Sequence, residues 1–411
     1  MADRFQAQRG TADVLPAEAT ARAHIQRVAR ELLERAGYAR IETPIFEDTE
    51  LFARGVGGST DIVRKEMFTF EDKGGRSITL RPEATASICR AYLEHGMQKL
   101  PQPVKLWWYG SLFRHERPQA GRFRQFTQLD AEVIGSDSPL VDAELILLCD
   151  EFLRTLEVPE LTLRIGSLGS PEARASYREE LVAYLRKHES DLARDVRERI
   201  DENPLRAFDS KDESTQAVMA DAPTMLDRLE GEDAEHFATV RRLLDQAGIE
   251  YELDGRLVRG LDYYTRTVFE FHSARLGAQS QVAGGGRYDR LIELLGGPPT
   301  PANGWAAGIE RILLVIGTPE DQEPHDVFVA AEDSQRERAV ALVTELRRAG
   351  LRADLDLAGR GMKGQMRQAD RVGAGHALIL DADGSLQLRD MRSGEQREVE
   401  AQRVVEELSA G

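Results

Sequence analysis

The segment QFTQLDAEVIG (125–135) constrains the fold more than any other stretch of the chain. Side chains of a strand alternate between two faces, so Leu129, Ala131 and Val133 share one face while Gln128, Asp130 and Glu132 share the other. The first face asks for a core; the second is a polar floor. Upstream, KLWWYGSLF (105–113) is also β-type, and an arginine-rich stretch separates the two segments. A long-armed antiparallel hairpin is the simplest arrangement.

Composition matters at the hairpin's loop. FRHERPQAGRFRQF (113–126) sets Arg114, Arg117, Arg122 and Arg124 against one acid, Glu116, in a chain of formal charge −17. So acidic a chain argues against sequence-blind coating of nucleic acid, which relies on a broadly basic surface. A polyanion held at local basic patches stays open. GRGMKGQMRQADR (359–371) is a second patch, where Arg360, Lys363, Arg367 and Arg371 face Asp370; a solvated surface is its other reading.

The 411 residues suffice for two or three domains. Ile25, Val28, Leu32, Leu33 and Ala36 recur at helical spacing before Gly37, which predicts an amphipathic helix over 17–36. ARIETPIFE (39–47) reads as a strand that Pro44 confines to an edge or bulge. Residues 168–248 read as a largely helical insert, and strand signals return in LVRGLDYYTRTVFEFH (257–272). After the apolar helix GIERILLVIG (308–317), TPEDQEPH (318–325) has linker composition. Beyond it, strands alternate with helices, which predicts a small α/β domain with a mostly parallel sheet. The start of the chain shows no apolar signal region, and nowhere is there the run of roughly 18 apolar residues that a membrane span needs, so the cytoplasm is expected. Cys89 and Cys149 cannot build a disulfide framework, and neither sits at metal-ligand spacing.

Four further segments carry chemistry. In TLRPEATASICRAYL (79–93) a helix start would aim backbone N–H groups and Glu83 at a ligand, or Glu83 would simply cap the helix. VRGLDYY sets Arg259 beside Tyr263 and Tyr264, which line either a site or a core. In VAGGGRYDRLIELLGG the glycines Gly284, Gly285 and Gly286 admit a ligand to the backbone or mark a strained turn. GWAAGIERILLVIG carries Glu310 and Arg311 at the head of a greasy helix, where a charge needs a partner; Glu310, another acid or a ligand could serve Arg311.

Together these segments resemble the histidyl-tRNA synthetase family, of class II, over essentially the whole chain. FRHERPQAGRFRQFTQLDAE is similar to its motif 2, GIERILL to motif 3 and ETPIFEDTELF to motif 1, the dimer-forming element; RGLDYY and GGGRYD resemble its two histidine-specific signatures. The resemblance implies an α+β catalytic core on an antiparallel sheet, in two parts (1–167 and 249–317), a helical insertion (168–248), a linker (318–325) and an anticodon-binding α/β domain (326–411). It implies a homodimer that makes histidyl-adenylate from L-histidine and ATP and passes histidine to tRNA(His). Arg114 and Arg259 would hold the α-phosphate as the catalytic cations, Arg122 the γ-phosphate, and Arg311 the phosphates or the adenine, with Mg²⁺ arriving on ATP and no structural metal. Glu83, Thr85 and Gln128 would surround the α-amino group, Glu132 and Tyr264 the imidazole nitrogens, and Tyr263 would line the pocket. Asp130 and Ala131 fall at positions that vary in the family. Arg117 and Gln119 would lie near the extra 5′ guanosine of tRNA(His), and Lys363 and Arg367 would contact RNA. No editing domain is expected. The alternative is the related regulatory subunit of ATP phosphoribosyltransferase, which lacks the anticodon domain and loses signature residues.

Overall fold

A computed structural model describes residues 4–57, 60, 62–258, 263–318 and 325–409. They form two compact units, 1–318 and 319–411. Residues 319–324 of the expected linker lie outside the described residues.

The first unit is built on an eight-stranded sheet in the order Ala39–Arg40, Val104–Phe113, Gln125–Ile134, Ala302–Gly308, Gln281–Arg287, Thr265–Ser273, Leu161–Ser167 and Glu252–Leu253. Its six central strands are antiparallel, and the short strands at either end pair in parallel. The hairpin runs in unbroken register from Val104 opposite Ile134 to Phe113 opposite Gln125. Leu129, Ala131 and Val133 enter the main core, where they meet Ile25, Leu32 and Leu33 of the helix Pro16–Arg35 and the apolar faces of Pro139–Thr155 and Gly231–Gln246. The helix Thr85–Glu94 covers the other face, packing Ile88, Cys89 and Tyr92 around Trp108, Tyr263 and Tyr288. The polar floor is therefore roofed over.

Three local expectations are revised. ARIETPIFE is two strands, because Pro44 has no amide hydrogen to continue a ladder: Ala39–Arg40 joins the large sheet and Phe46–Asp48 a separate three-stranded one. The triple glycine is no turn but part of the strand Gln281–Arg287, with Gly285 opposite both Trp305 and Phe269. A Cβ on Gly285 would stand 2.1 Å from the Gly304 carbonyl oxygen, so the glycine permits close strand packing. In the helical stretch, Tyr177, Leu181, Leu185, Val196 and Met219 share a core of their own. The helix Gly231–Gln246 instead buries Phe237, Val240 and Leu244 in the main core.

That helix is tied in through His236. Asp142, on Pro139–Thr155, is fully buried and receives the Arg287 guanidinium on Oδ1, together with Asn303 Nδ2 at 2.8 Å. His236 Nε2 lies 2.7 Å from its Oδ2. Arg287 is completely shielded and also donates to the Ser136 and Ser138 carbonyls at 2.9 and 3.1 Å. Burial pushes the Asp142 carboxyl up, but His236 and Arg287 more than cancel this and hold it below its usual range.

In the second unit the strand order is Ala353–Leu355, Val327–Ala331, His376–Leu380, Leu386–Asp390 and Gln396–Glu398. The first three are parallel and the last two antiparallel, so the sheet is mixed rather than mostly parallel. Gln365 fixes the helix Met362–Arg371 to the sheet, donating to the Ala331 carbonyl at 2.9 Å and accepting the Ala331 N–H at 2.8 Å.

Replacing Arg287 by Ala strands the buried Asp142 carboxylate, and losing one partner of a buried ion pair costs about 3–5 kcal/mol. We expect a loss of that size in the unfolding free energy of the first unit measured by chemical denaturation; a change under about 1 kcal/mol would show that the pair is not what joins these elements.

Candidate active site

Between the sheet's polar floor and the arginine loop lies a cavity of about 980 Å³. Its acidic end is built from the strand Gln125–Ile134 and the start of Thr85–Glu94. Glu132 is 2% exposed; its Oε1 accepts from the Thr85 hydroxyl at 2.8 Å and its Oε2 from the Tyr288 hydroxyl. Gly304 faces it across the ladder, and a Cβ there would stand 1.6 Å from Glu132 Oε2. The glycine is the space the carboxylate occupies. Burial pushes the Glu132 carboxyl up to about 8, against the opposing bonds from Tyr288 and Thr85.

Glu83 caps its helix and also lines the cavity. Its Oε1 accepts the Ala86 N–H at 3.0 Å and caps the helix, whereas its shielded Oε2 has no hydrogen-bond partner among the described residues. Burial raises it to about 7, opposed by the Ala86 N–H and the Arg114 charge. Asp130 shares the floor, again with one shielded oxygen lacking a partner, and burial followed by the charges of Glu132 and Glu83 drives its carboxyl well above the usual range. Gln128, Tyr263 and Tyr264 complete this end. The Tyr263 ring lies 4.8 Å from Tyr264 and 5.5 Å from Tyr288, and the Tyr264 carbonyl accepts from Arg174 of the helical insert at 3.0 Å.

The other end is basic. Arg114, Arg122 and Arg311 line it together. Arg114 Nε donates to the Pro82 carbonyl at 2.8 Å with its guanidinium over the Phe126 ring, and Arg122 lies 3.3 Å from Glu116. Arg311 donates to the Gly121 and Gln281 carbonyls at 3.2 and 2.8 Å, while burial and the neighbouring positive Arg122 hold its pKa below the ordinary arginine value. Glu310 is not the partner of Arg311. It pairs with Arg22 at 2.9 Å and takes the Thr127 N–H on both oxygens. Gly121, at φ +71, lets the loop approach Arg311: a Cβ there would meet Arg311 Cγ at 3.3 Å.

The structure thus brings Glu83, Thr85, Arg114, Arg122, Gln128, Glu132, Tyr263, Tyr264 and Arg311 to one cavity. Arg117 and Gln119 are exposed on the loop and do not line it. Lys363 and Arg367 are exposed on Met362–Arg371 in the second unit. Arg259 lies outside the described residues. Sequence reading missed Tyr288 as a partner of Glu132 and gave Asp130 no role, although the period-two alternation puts Asp130 on the same face as Gln128 and Glu132, which the family resemblance singled out. Among the described residues no group of His, Cys, Asp and Glu has metal-holding geometry.

A family profile described as histidyl-tRNA synthetase matches residues 10–312, and one described as anticodon binding domain matches 319–411. A histidine–tRNA ligase of Thermosynechococcus vestitus is 46% identical over 410 residues, covering 98% of this chain and 96% of that protein. One of Halorhodospira halophila is 49% identical over 405 residues, covering 96% and 95%. The crystal structure of apo S. aureus histidyl-tRNA synthetase superposes with a TM-score of 0.83 at 36% identity, covering 99% of this chain and 100% of that one. Motifs, cavity and relatives agree, and the chain belongs to the histidyl-tRNA synthetase family.

Proposed function

We propose that the chain is a histidine–tRNA ligase that binds histidine at the acidic end of the cavity and the ATP phosphates at the basic end. The observation that carries this reading is the cavity's division: shielded carboxylates and phenols at one end, three guanidiniums at the other. A carboxylate oxygen of histidine attacks the α-phosphorus, the bond to the bridging oxygen breaks, and pyrophosphate leaves. A hydroxyl of the terminal adenosine of tRNA(His) then attacks the carbonyl carbon and AMP leaves. Such chemistry needs positioning and charge stabilisation more than covalent help, and guanidiniums supply both. Arg114 and Arg259 serve the α-phosphate, Arg122 the γ-phosphate, and Arg311 the nucleotide. Mg²⁺ enters on ATP as part of the substrate, because a triphosphate shares its charge with a hard cation.

Glu83, Thr85 and Gln128 hold the α-amino group, Glu132 and Tyr264 the imidazole, and Tyr263 the wall of the pocket. Arg117 and Gln119, exposed on the loop, suit the tRNA acceptor end. A homodimer through residues 42–52 belongs to the same reading, supported by the exposed Ile45 and Phe46. So does a cytoplasmic location: among the described residues no helix is long and apolar enough to cross a membrane. The regulatory-subunit alternative lacks an anticodon domain, whereas residues 319–411 match one.

Histidine-dependent ATP–pyrophosphate exchange tests the reading. We expect Arg114→Ala to lower it by about 10²–10³, the scale of losing one preorganised donor to a developing anion; a loss under about tenfold would remove Arg114 from that role. Charge reversal of Lys363 and Arg367 together should weaken tRNA(His) binding and leave the exchange intact, whereas unchanged tRNA affinity would discard them as RNA contacts.

The raised acids set a pH dependence. Folded Glu83 and Glu132 hold their protons to about 7 and about 8, whereas unfolded glutamates release theirs near pH ~4.3. The folded ligand-free chain therefore binds more protons than the unfolded one in this window, so its stability falls as pH rises from about 5 to about 8. Glu132→Gln should flatten the upper part of that decline in urea-unfolding midpoints, and an identical slope in both proteins would contradict it.

A further inference from the structure

We propose that Asp130 is a further amino-acid-binding residue, accepting a hydrogen bond from the α-ammonium group of histidine alongside Glu83. This rests on the reading of the acidic end as the histidine site.

Asp130 lies between Gln128 and Glu132 on one face of the strand Gln125–Ile134, opposite Trp108 and Ala306. It lines the cavity yet is 2% exposed, and its Oδ2 has no hydrogen-bond partner among the described residues. Four charged groups surround it: Glu132 and Glu83 on the acidic side, Arg114 and Arg81 as the cations. Arg81 is directed elsewhere, donating from Nε to the Ser111 carbonyl at 2.9 Å and from one terminal nitrogen to the Thr43 carbonyl at 2.6 Å, with its guanidinium 4.6 Å above the Trp108 ring. Arg114 Nε is held by the Pro82 carbonyl.

The oxygens at this end differ in what they lack. Both oxygens of Glu132 are engaged, by Thr85 and Tyr288, and Glu83 Oε1 caps its helix. Glu83 Oε2 and Asp130 Oδ2 remain as shielded acceptors without donors. A buried carboxylate in that condition is costly and calls for a cationic donor. A phosphate offers none and would be repelled, and a neutral imidazole has one N–H. An ammonium has three, enough for both oxygens.

The test separates the ammonium from the ring. In the full-length chain, KM for histidine is measured by pyrophosphate exchange. Inhibition constants are measured for histidinol, which keeps ammonium and imidazole, and for imidazolepropionate, which keeps imidazole and carboxylate. We expect Asp130→Asn and Asp130→Ala to raise the histidine KM and the histidinol constant about tenfold or more, the worth of a charge-assisted hydrogen bond, with imidazolepropionate and ATP within about twofold of wild type. The unfolding midpoint should not fall in either variant, because each removes an uncompensated buried carboxyl. Unchanged constants for histidine and histidinol, or an equal rise for imidazolepropionate, would overturn the assignment of Asp130 alone. A wild-type chain without histidine-dependent exchange would overturn both this inference and the reading beneath it.

Discussion

Two helices and two strands of the first unit converge on an ion pair shielded from water. Asp142 and Arg287 meet with neither side chain exposed, and His236 and Asn303 complete the shell. These residues come from two helices and two strands that are distant in sequence, and His236 joins the return helix of the insert to the cluster. Its consequence extends one residue further. Tyr288 follows Arg287, and its hydroxyl is what Glu132 Oε2 accepts from. Anchoring Arg287 therefore fixes where Tyr288 stands, and Tyr288 orients a carboxylate of the cavity floor.

The molecule treats its buried acids in two ways. Asp142 is compensated inside the protein and held below its usual range. Glu83, Glu132 and Asp130 are shielded as well, but their carboxyls are pushed up. An acid paired inside the protein supports the fold, whereas raised acids lining a cavity mark a candidate site. At the basic end Arg311, its pKa lowered first by burial, stands under the opposing influence of Arg122 and Arg114, which lower it further, and of Glu116 and Glu270, which raise it.

Much of this could be read from residue order, where one physical rule dominated. Period-two alternation placed Leu129, Ala131 and Val133 in the core and Glu132 on the floor, since burial of one face fixes the register. The same alternation contained Asp130, whose role became visible only when its oxygen was seen to lack a donor. Rules failed where long-range packing overrode local propensity. Three successive glycines read as a turn because the Gly304 carbonyl that requires Gly285 is contributed by a separate strand. Glu310 was one of the partners open to Arg311, but successive helical residues do not face each other, and Glu310 pairs instead with Arg22, 288 residues away. The helix Gly231–Gln246 has the charged surface of the insert around it, and only its buried Phe237, Val240 and Leu244 show which core it serves.

The same satisfied and unsatisfied groups bear on discrimination. An apolar side chain entering the floor would leave Glu83 Oε2 and Asp130 Oδ2 without a donor. Sites built from buried polar groups can reject such analogues by about 10⁴ or more, because the penalty lies in the groups left unpaired. Gly304 sharpens the effect. A residue with any side chain there would displace the Glu132 carboxylate, so the shape of the floor and its polarity arise from the same pair of opposed positions. The cost of the wrong ligand would fall on Glu83 Oε2 and Asp130 Oδ2, the shielded oxygens that lack a donor among the described residues.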